Sequence, residues 1–450
     1  MAALAGPPPV STNPLLRLAE DLRAERRAAV PFPPGDTRVD LRRTRRFARQ
    51  PLPVLLDAYA RYGPVFTLRI FHGNVVFALG PEANHHITVS NAANFSWRQG
   101  HLGDLIPLLG DGLLTIDGDF HRRSRRIILP AFHRERIEAA HATMAAETAA
   151  ALDRVRTGEP FDLYAWTREL ALRIAMRALF GLDPDRARAG GLDAAGEFEA
   201  ALAFHGRDYA LQMLRGPRTP WARMLRSRAR LDALIHAEIA RRRASGERGG
   251  DILSLLLDAR DEDGDGLSDR HVRDEVMTLL FAGHDTTTST VAFLFHELAR
   301  NPGVAADPAL DLDLAIDETL RLYPPAWIGP RRSIADFELC GVLVPGGVPV
   351  NYCSWASHRL PDVWDEPGAF RPERFAPGNR ERIPKGAYMP FGGGSRTCVG
   401  MRFGLAEVGV IARAIRERHR LELVPGYRLE VRQMPTISPR RGLPVIPRPI

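Results

Sequence analysis

At 450 residues, with a formal net charge of +7 and 45% hydrophobic residues, the chain can bury a core large enough to enclose a cofactor. No Pro/Ser linker or internal repeat divides it, and its three cysteines, Cys340, Cys353 and Cys398, form no spaced framework, which excludes a disulfide scaffold and predicts a reducing, cytoplasmic setting. The 61 basic residues, of which Lys385 is the only lysine, alternate with 54 acidic ones along helical patterns, so no nucleic-acid partner is expected. Residues 1–34 read as an extension with a loosely ordered start, carrying a short amphipathic pattern at Leu15 to Leu22. They contain neither an apolar stretch of about 18 residues nor a secretory signal, and no membrane anchor is predicted. Residues 35–450 read as a single domain.

The spacing predicts a helix over Pro51 to Tyr62, then a hairpin of Val65 to Ile70 with Val75 to Leu79 about His72-Gly73-Asn74. Helical patterns dominate from about Asp117 to Leu322, broken at Asp183-Pro184, Gly190-Gly191, Gly216-Pro217 and Gly246 to Gly250. Within the first of them, His121 and Arg125 stand four apart on one face. Asp261 to Gly266 begins like a calcium loop, but Val272 occupies the position that needs a bidentate glutamate. The stretch reads instead as an acidic loop, with Ser268 capping the next helix. A second β region spans Phe337 to Val350, a loop rich in Pro and Gly follows, and a helix runs from Met401 to about Arg418. The last thirty or so residues read as short strands and turns.

Three motifs carry chemistry. Ala282-Gly283-His284-Asp285-Thr286-Thr287 lies inside the predicted helix from Ser268 to Arg300, where glycine and three consecutive threonines weaken the interior. Such a lapse marks either a site or a plain kink at Gly283. Glu318 and Arg321 share a helix face, although a pair of that spacing is common on surfaces; Phe370-Arg371-Pro372-Glu373-Arg374-Phe375 follows. Last comes Phe391-Gly392-Gly393-Gly394-Ser395-Arg396-Thr397-Cys398-Val399-Gly400. One cysteine in a glycine-rich loop before a helix can present a thiolate to a metal, with the glycines letting backbone approach a flat ligand and Gly400 clearing the next helix. A lone loop cysteine is otherwise most often a buried structural residue. No Walker loop, GxGxxG after a strand or GxSxG occurs, so no fused flavin or nicotinamide domain is expected.

In their order these motifs resemble those of the cytochrome P450 family of haem-thiolate monooxygenases, whose haem loop reads FxxGxRxCxG. The resemblance runs from about Pro51 to the end. It implies a mainly α fold with a smaller β-rich lobe, a triangular prism with haem b between the long central helix and the cysteine loop. Cys398 is implied as the axial ligand, with Phe391, Gly394, Arg396 and Gly400 framing it and Ala282 and Gly283 on the other haem face. Thr286 would hydrogen-bond the oxygen under activation and Asp285 relay protons to it. Propionate partners would be His121, Arg125, Arg396 and Arg331, the last favoured over Arg332 by spacing to Asp336 and Gly341. Phe120 stands where the family often has tryptophan. Glu318, Arg321 and Arg374 are implied as structural.

The segments that flank haem in the family correspond to Trp97–Leu109, Leu280–Ala282, Ala326–Gly329 and Met434–Ile437. They suggest a lipophilic pocket bordered by Trp97, Leu105, Phe281, Ala326, Trp327, Ile328 and Thr436, with Trp327 narrowing it and Arg98 and His101 as polar exceptions. The implied reaction inserts one oxygen atom of O2 into a C–H bond or C=C. Electrons would come from a ferredoxin or flavodoxin with its reductase, docking on a monomer near Arg122, Arg126 and Arg402. A peroxide-using haem-thiolate enzyme and a haem sensor or carrier stay open as alternatives.

Overall fold

The computed structural model describes residues 7–205, 209–260, 264 and 266–450. The acids Asp261 to Asp263 and Asp265 of the predicted acidic loop therefore lie outside the described residues, as does the start of the N-terminal extension. The helices that matter below are α1 (Pro14–Arg27), α2 (Gly118–Ile128), α3 (Leu163–Ile174), α4 (Asp269–Arg300), α5 (Leu312–Leu322) and α6 (Met401–Arg418). The longer strands of the first unit include β1 (Val65–Ile70), β2 (Gly73–Ala78), β3 (Gly329–Ser333) and β4 (Pro349–Tyr352). The chain forms two compact units, one of Met1–Asp104 with Asp313–Cys398 and one of Leu105–Leu312 with Val399–Ile450.

The first unit is built on a six-stranded sheet in the order Gly35–Asp36, β1, β2, β4, β3, Phe95–Ser96. Val65, Val76, Val350 and Tyr352 form its core with Phe95 and Phe337, whose rings meet edge to face at 5.0 Å. The hairpin is tighter than the sequence suggests. Ile70 pairs with Gly73, so the turn is Phe71-His72, and Phe71 takes a φ of 57°. Register here follows burial of the flanking apolar residues, which overrides the Gly-Asn turn signal. Strand β3 was not predicted, because Gly329-Pro330-Arg331-Arg332 reads as loop. In it, Gly329, Arg331 and Ser333 are buried in alternation.

The second unit is helical around α4. Ser268 caps that helix by accepting the His271 N–H at 3.3 Å. Residues Val291 to Leu294 are fully buried, each large side chain contributing about 1.5–3 kcal/mol. A helix buried on all sides is a core element rather than an amphipathic one. The predicted helix breaks fall between helices or, at Asp183-Pro184, on a helix start, where the Asp183 side chain accepts the Asp185 N–H at 3.0 Å and caps Pro184–Ala189. A small sheet of Arg420–Leu423, Pro444–Arg448 and Phe161–Asp162 closes this unit. Among the described residues, no helix is long and apolar enough to cross a membrane.

Candidate active site

In the first unit, the loop Phe391 to Cys398 turns back on itself through the Cys398 N–H, which donates to the Phe391 carbonyl at 2.9 Å. Gly392 and Gly394 take φ of 71° and 61°, a region that strains other residues. An added Cβ on Gly394 would lie 2.1 Å from the Thr88 carbonyl oxygen, and one on Gly393 2.7 Å from Thr88 Oγ1. These two glycines thus serve close packing on Thr88, a reason the sequence did not disclose. At Gly400 an added Cβ would only reach ordinary contact with Phe132, 3.6 Å away. Of the three cysteines, Cys398 is the exposed one. Burial pushes the Cys353 thiol up to about 12 and the Cys340 thiol up to about 11, which suits neither to exist as a thiolate. Lys385 is exposed in the stretch leading to this loop.

Glu318, Arg321 and Arg374 come together beneath that stretch. Arg321, with no exposed surface, donates to both Glu318 oxygens at 2.7 and 2.8 Å and to the carbonyls of His358, Pro367 and Ala369. Arg374 joins at 3.4 Å from Glu318. Sequence reasoning missed His358, whose Nδ1 contacts the Arg321 carbonyl at 3.1 Å and whose Nε2 accepts the Met389 N–H at 2.9 Å. Burial, reinforced by the Arg321 charge, lowers it to about 3, so the ring is neutral.

Two guanidinium groups share one indole. Arg331 lies 3.6 Å and Arg396 4.9 Å from the Trp97 ring centre. Arg332 is instead spent on Asp21 and on the carbonyls of Gln99 and Gly347. Around β3 the chain alternates: Ala326 is exposed and Ile328 half-buried, while Trp327 is 5% exposed and stacked edge to face on Trp355 at 6.0 Å. Trp327 thus packs into the core against Trp355. Trp97 is half-buried. Arg98 is buried and donates to the Pro8 carbonyl at 2.7 Å, whereas His101 is exposed 3.4 Å from Asp104.

In the second unit, α4 supplies the informative pattern. From Val272 to Leu298 every residue is buried except Ala282, Gly283 and Thr286, which share one face. Thr286 Oγ1 donates to the Ala282 carbonyl at 2.7 Å, and Thr288 and Thr290 likewise bond back one turn. Asp285 faces elsewhere. Fully buried, it accepts from Thr436 through Oδ2 and lies 3.3 Å from Arg168 of α3 through Oδ1. Arg168 also binds Glu199 and donates to Tyr164 OH at 3.0 Å. Thr436 thus anchors Asp285. Phe281 and Leu105 are buried, 8% and 7% exposed. On α2, His121 is buried and Arg125 half-buried, while Arg122 and Arg126 are exposed. Arg402 is exposed at the start of α6.

One further residue was not singled out. Glu407 of α6 is buried and accepts from Thr287 Oγ1 at 3.0 Å, and burial pushes its carboxyl up to about 8. Its signal in the sequence is slight, a lone acid between Arg402 and Arg413 in an otherwise apolar run.

One helical unit built around a buried helix, and one unit with a smaller sheet and a glycine-framed cysteine loop, are the parts of a haem-thiolate oxygenase fold. The cytochrome P450 family model matches residues 42–307 and 312–445, and the chain belongs to that family. It is a monooxygenase, an oxidoreductase using haem and O2. It is 34% identical to cyclooctat-9-en-7-ol 5-monooxygenase of Streptomyces melanosporofaciens over 85% of this chain and 87% of that protein. Cyclooctatin synthase of the same organism is 32% identical over 89% of this chain and 92% of its own length. The solved structure of a retinoic acid-bound cyanobacterial CYP120A1 superposes with a TM-score of 0.82 and 26% identity, covering 94% of this chain and 100% of that one.

Proposed function

We propose that the protein is a haem b monooxygenase in which Cys398 ligates the iron and Thr286 guides protons for insertion of one oxygen atom into a C–H bond or C=C of a lipophilic substrate. The observation that carries this reading is the stripe Ala282, Gly283 and Thr286, open in the middle of an otherwise buried helix. A flat, apolar cofactor edge would cover the alanine and glycine, leaving one hydroxyl to face the reacting atoms. The other residues fit haem as well. Cys398 is the accessible thiol, and Arg331 and Arg396 over one indole form a like-charge pairing that carboxylates would offset. His121 and Arg125 are the further propionate partners.

Haem held by Cys398 would supply the oxidant, drawing on O2, two electrons and two protons and releasing one water. The chain supplies position and protons. Thr286 Oγ1, bonded back to Ala282, can turn from that carbonyl and donate toward the open stripe. Asp285 accepts a proton at Oδ1, the oxygen that no hydrogen bond occupies, and hands it on after loosening from Arg168. Electrons come from a separate ferredoxin or flavodoxin, with the exposed Arg126 and Arg402 as contacts; Arg122 shares its charge with Asp119. The substrate class is lipophilic, such as a fatty acid, terpenoid, steroid or polyketide. Ala326 and Ile328 are apolar, and the similar proteins named above act on an unsaturated alcohol or bind retinoic acid.

The test is spectroscopic and then catalytic. Reduced protein under carbon monoxide should show the red-shifted Soret band of thiolate-ligated haem, lost in Cys398→Ser and kept in Cys340→Ser and Cys353→Ser. The reverse pattern would move the ligand to another cysteine. Turnover with a ferredoxin system, absent with NADPH alone, supports separate partners; turnover with peroxide alone and none with ferredoxin would favour a peroxide-using enzyme.

A further inference from the structure

Helix α1 gives its most enclosed positions to charged residues. Leu15 and Leu16 are 61% and 56% exposed, while Arg17 and Asp21, one turn apart, are 8% and 6% exposed. Charged residues are seldom buried unless paired, and a helix whose inner face is charged docks by specific contacts instead of general apolar burial. The contacts of Arg17 converge on one loop. Arg17 donates to Asp104 at 2.7 Å and to the carbonyls of Gln99 and Gly100 at 2.9 and 2.8 Å. Asp21 pairs with Arg332 and with His72 at 3.0 Å, and Arg98 reaches back to the Pro8 carbonyl. Burial alone would raise the Asp21 carboxyl, but His72 and Arg332 hold it well below the usual range.

The loop is shaped to receive this helix. An added Cβ on Gly103 would lie 2.2 Å from the Arg98 carbonyl oxygen and 3.0 Å from Arg17 Nη1; one on Gly100 would lie 3.0 Å from Arg331 Cα. Its first residue, Trp97, carries Arg331 and Arg396. All of α1 precedes residue 42, where the family match begins.

We propose that α1 is a brace in which Arg17, directly, and Asp21, through Arg332 and its bond to the Gln99 carbonyl, are positioning residues that fix the Trp97–Asp104 loop and, through Trp97, the arginines meant for haem carboxylates. The ligand-binding part of this inference rests on the monooxygenase reading; the loop-ordering part does not. In the haem-loaded full chain, hydrogen exchange across residues 97–104 should rise about tenfold in Arg17→Ala, as expected for losing a buried charge-assisted donor. Arg17→Lys, which keeps the charge near Asp104 but cannot serve both carbonyls, should fall between. Glu20→Ala, on the exposed face of the same helix, should match the unaltered protein. Binding of 4-phenylimidazole, followed by its absorbance shift, should weaken about tenfold in Arg17→Ala and Asp21→Asn. Exchange in 97–104 unchanged while α1 itself exchanges faster would overturn the brace, as would faster exchange with unaltered affinity. Unaltered protein without the thiolate band would instead sink the Cys398 assignment, and the exchange comparison would still be readable. If Arg17→Ala does not accumulate, Arg17→Lys and Asp21→Asn decide the matter by the same two measurements.

Discussion

Asp285 and Thr286 are neighbours in the chain and strangers in space, since the helix turns the acid into the core and the hydroxyl onto the open stripe. Their substitutions should therefore fail in different ways. Thr286→Ala is expected to leave haem content and ligand binding nearly intact while product per electron drops several-fold and hydrogen peroxide rises by the same electrons. Asp285→Asn should slow turnover by about 10²-fold and enlarge the solvent isotope effect. It should also cost stability by about 1–3 kcal/mol, because Arg168 loses one of its two carboxylates and keeps Glu199. Paired measurements of coupling and thermal unfolding separate the two; unchanged coupling in Thr286→Ala would assign proton guidance elsewhere. The motif itself was legible, because glycine and threonine in a helix interior break local propensity. The anchoring of Asp285 was not, since Arg168 and Thr436 are far away in sequence and ordinary in type.

Among the elements, the stretch entering β3 shows what periodicity can and cannot reveal. Phe337 to Val350 announces itself by β-branched residues, yet Gly329 to Ser333 forms a strand with two arginines and a proline in it. Tertiary pairing with β4 decides the matter, Arg331 lying opposite Val350. Alternation then divides the labour. Ile328→Ala should shift the site of oxidation or the range of ligands with little change in melting temperature. Trp327→Ala should cost about 3–5 kcal/mol by opening a cavity against Trp355 and leave selectivity largely alone. Product profiles and unfolding curves of the two variants give the answer, and a selectivity change confined to Trp327→Ala would refute the assignment. The bounds of α4 and α6 were readable from a cap and from apolar spacing. Helix α1 was only half readable: Leu18 and Leu22 of its apolar pattern are half-buried, but Leu15 and Leu16 point outward and the most enclosed positions go to Arg17 and Asp21.

For the molecule as a whole, two buried titrating groups act on opposite limbs of the stability profile. Glu407 titrates at about 8 instead of its ordinary 4.5, so the native state keeps a proton that the unfolded chain releases above pH 4.5. Stability on this account falls as pH rises from there to about 8 and levels off beyond. His358 has its value lowered from 6.5 to about 3, so the unfolded chain takes up a proton first, and stability is lost as pH falls from 6.5 toward 3. Glu407→Gln, which keeps the shape of the neutral acid, should flatten the alkaline limb and raise stability at pH 8 by an amount on the order of a few kcal/mol. Denaturant melts of both proteins between pH 5 and 9 check this, and parallel profiles would show that Glu407 is ionised in the fold.

The exposed Lys385 has a consequence for experiment. With every other basic side chain an arginine, whose guanidinium resists acylation, amine-directed chemistry finds a single side-chain target, on the stretch that leads to Cys398. A dye, a surface or a light-driven electron donor can thus be attached at one defined side chain without redesigning the sequence, the α-amine being the other amine to block.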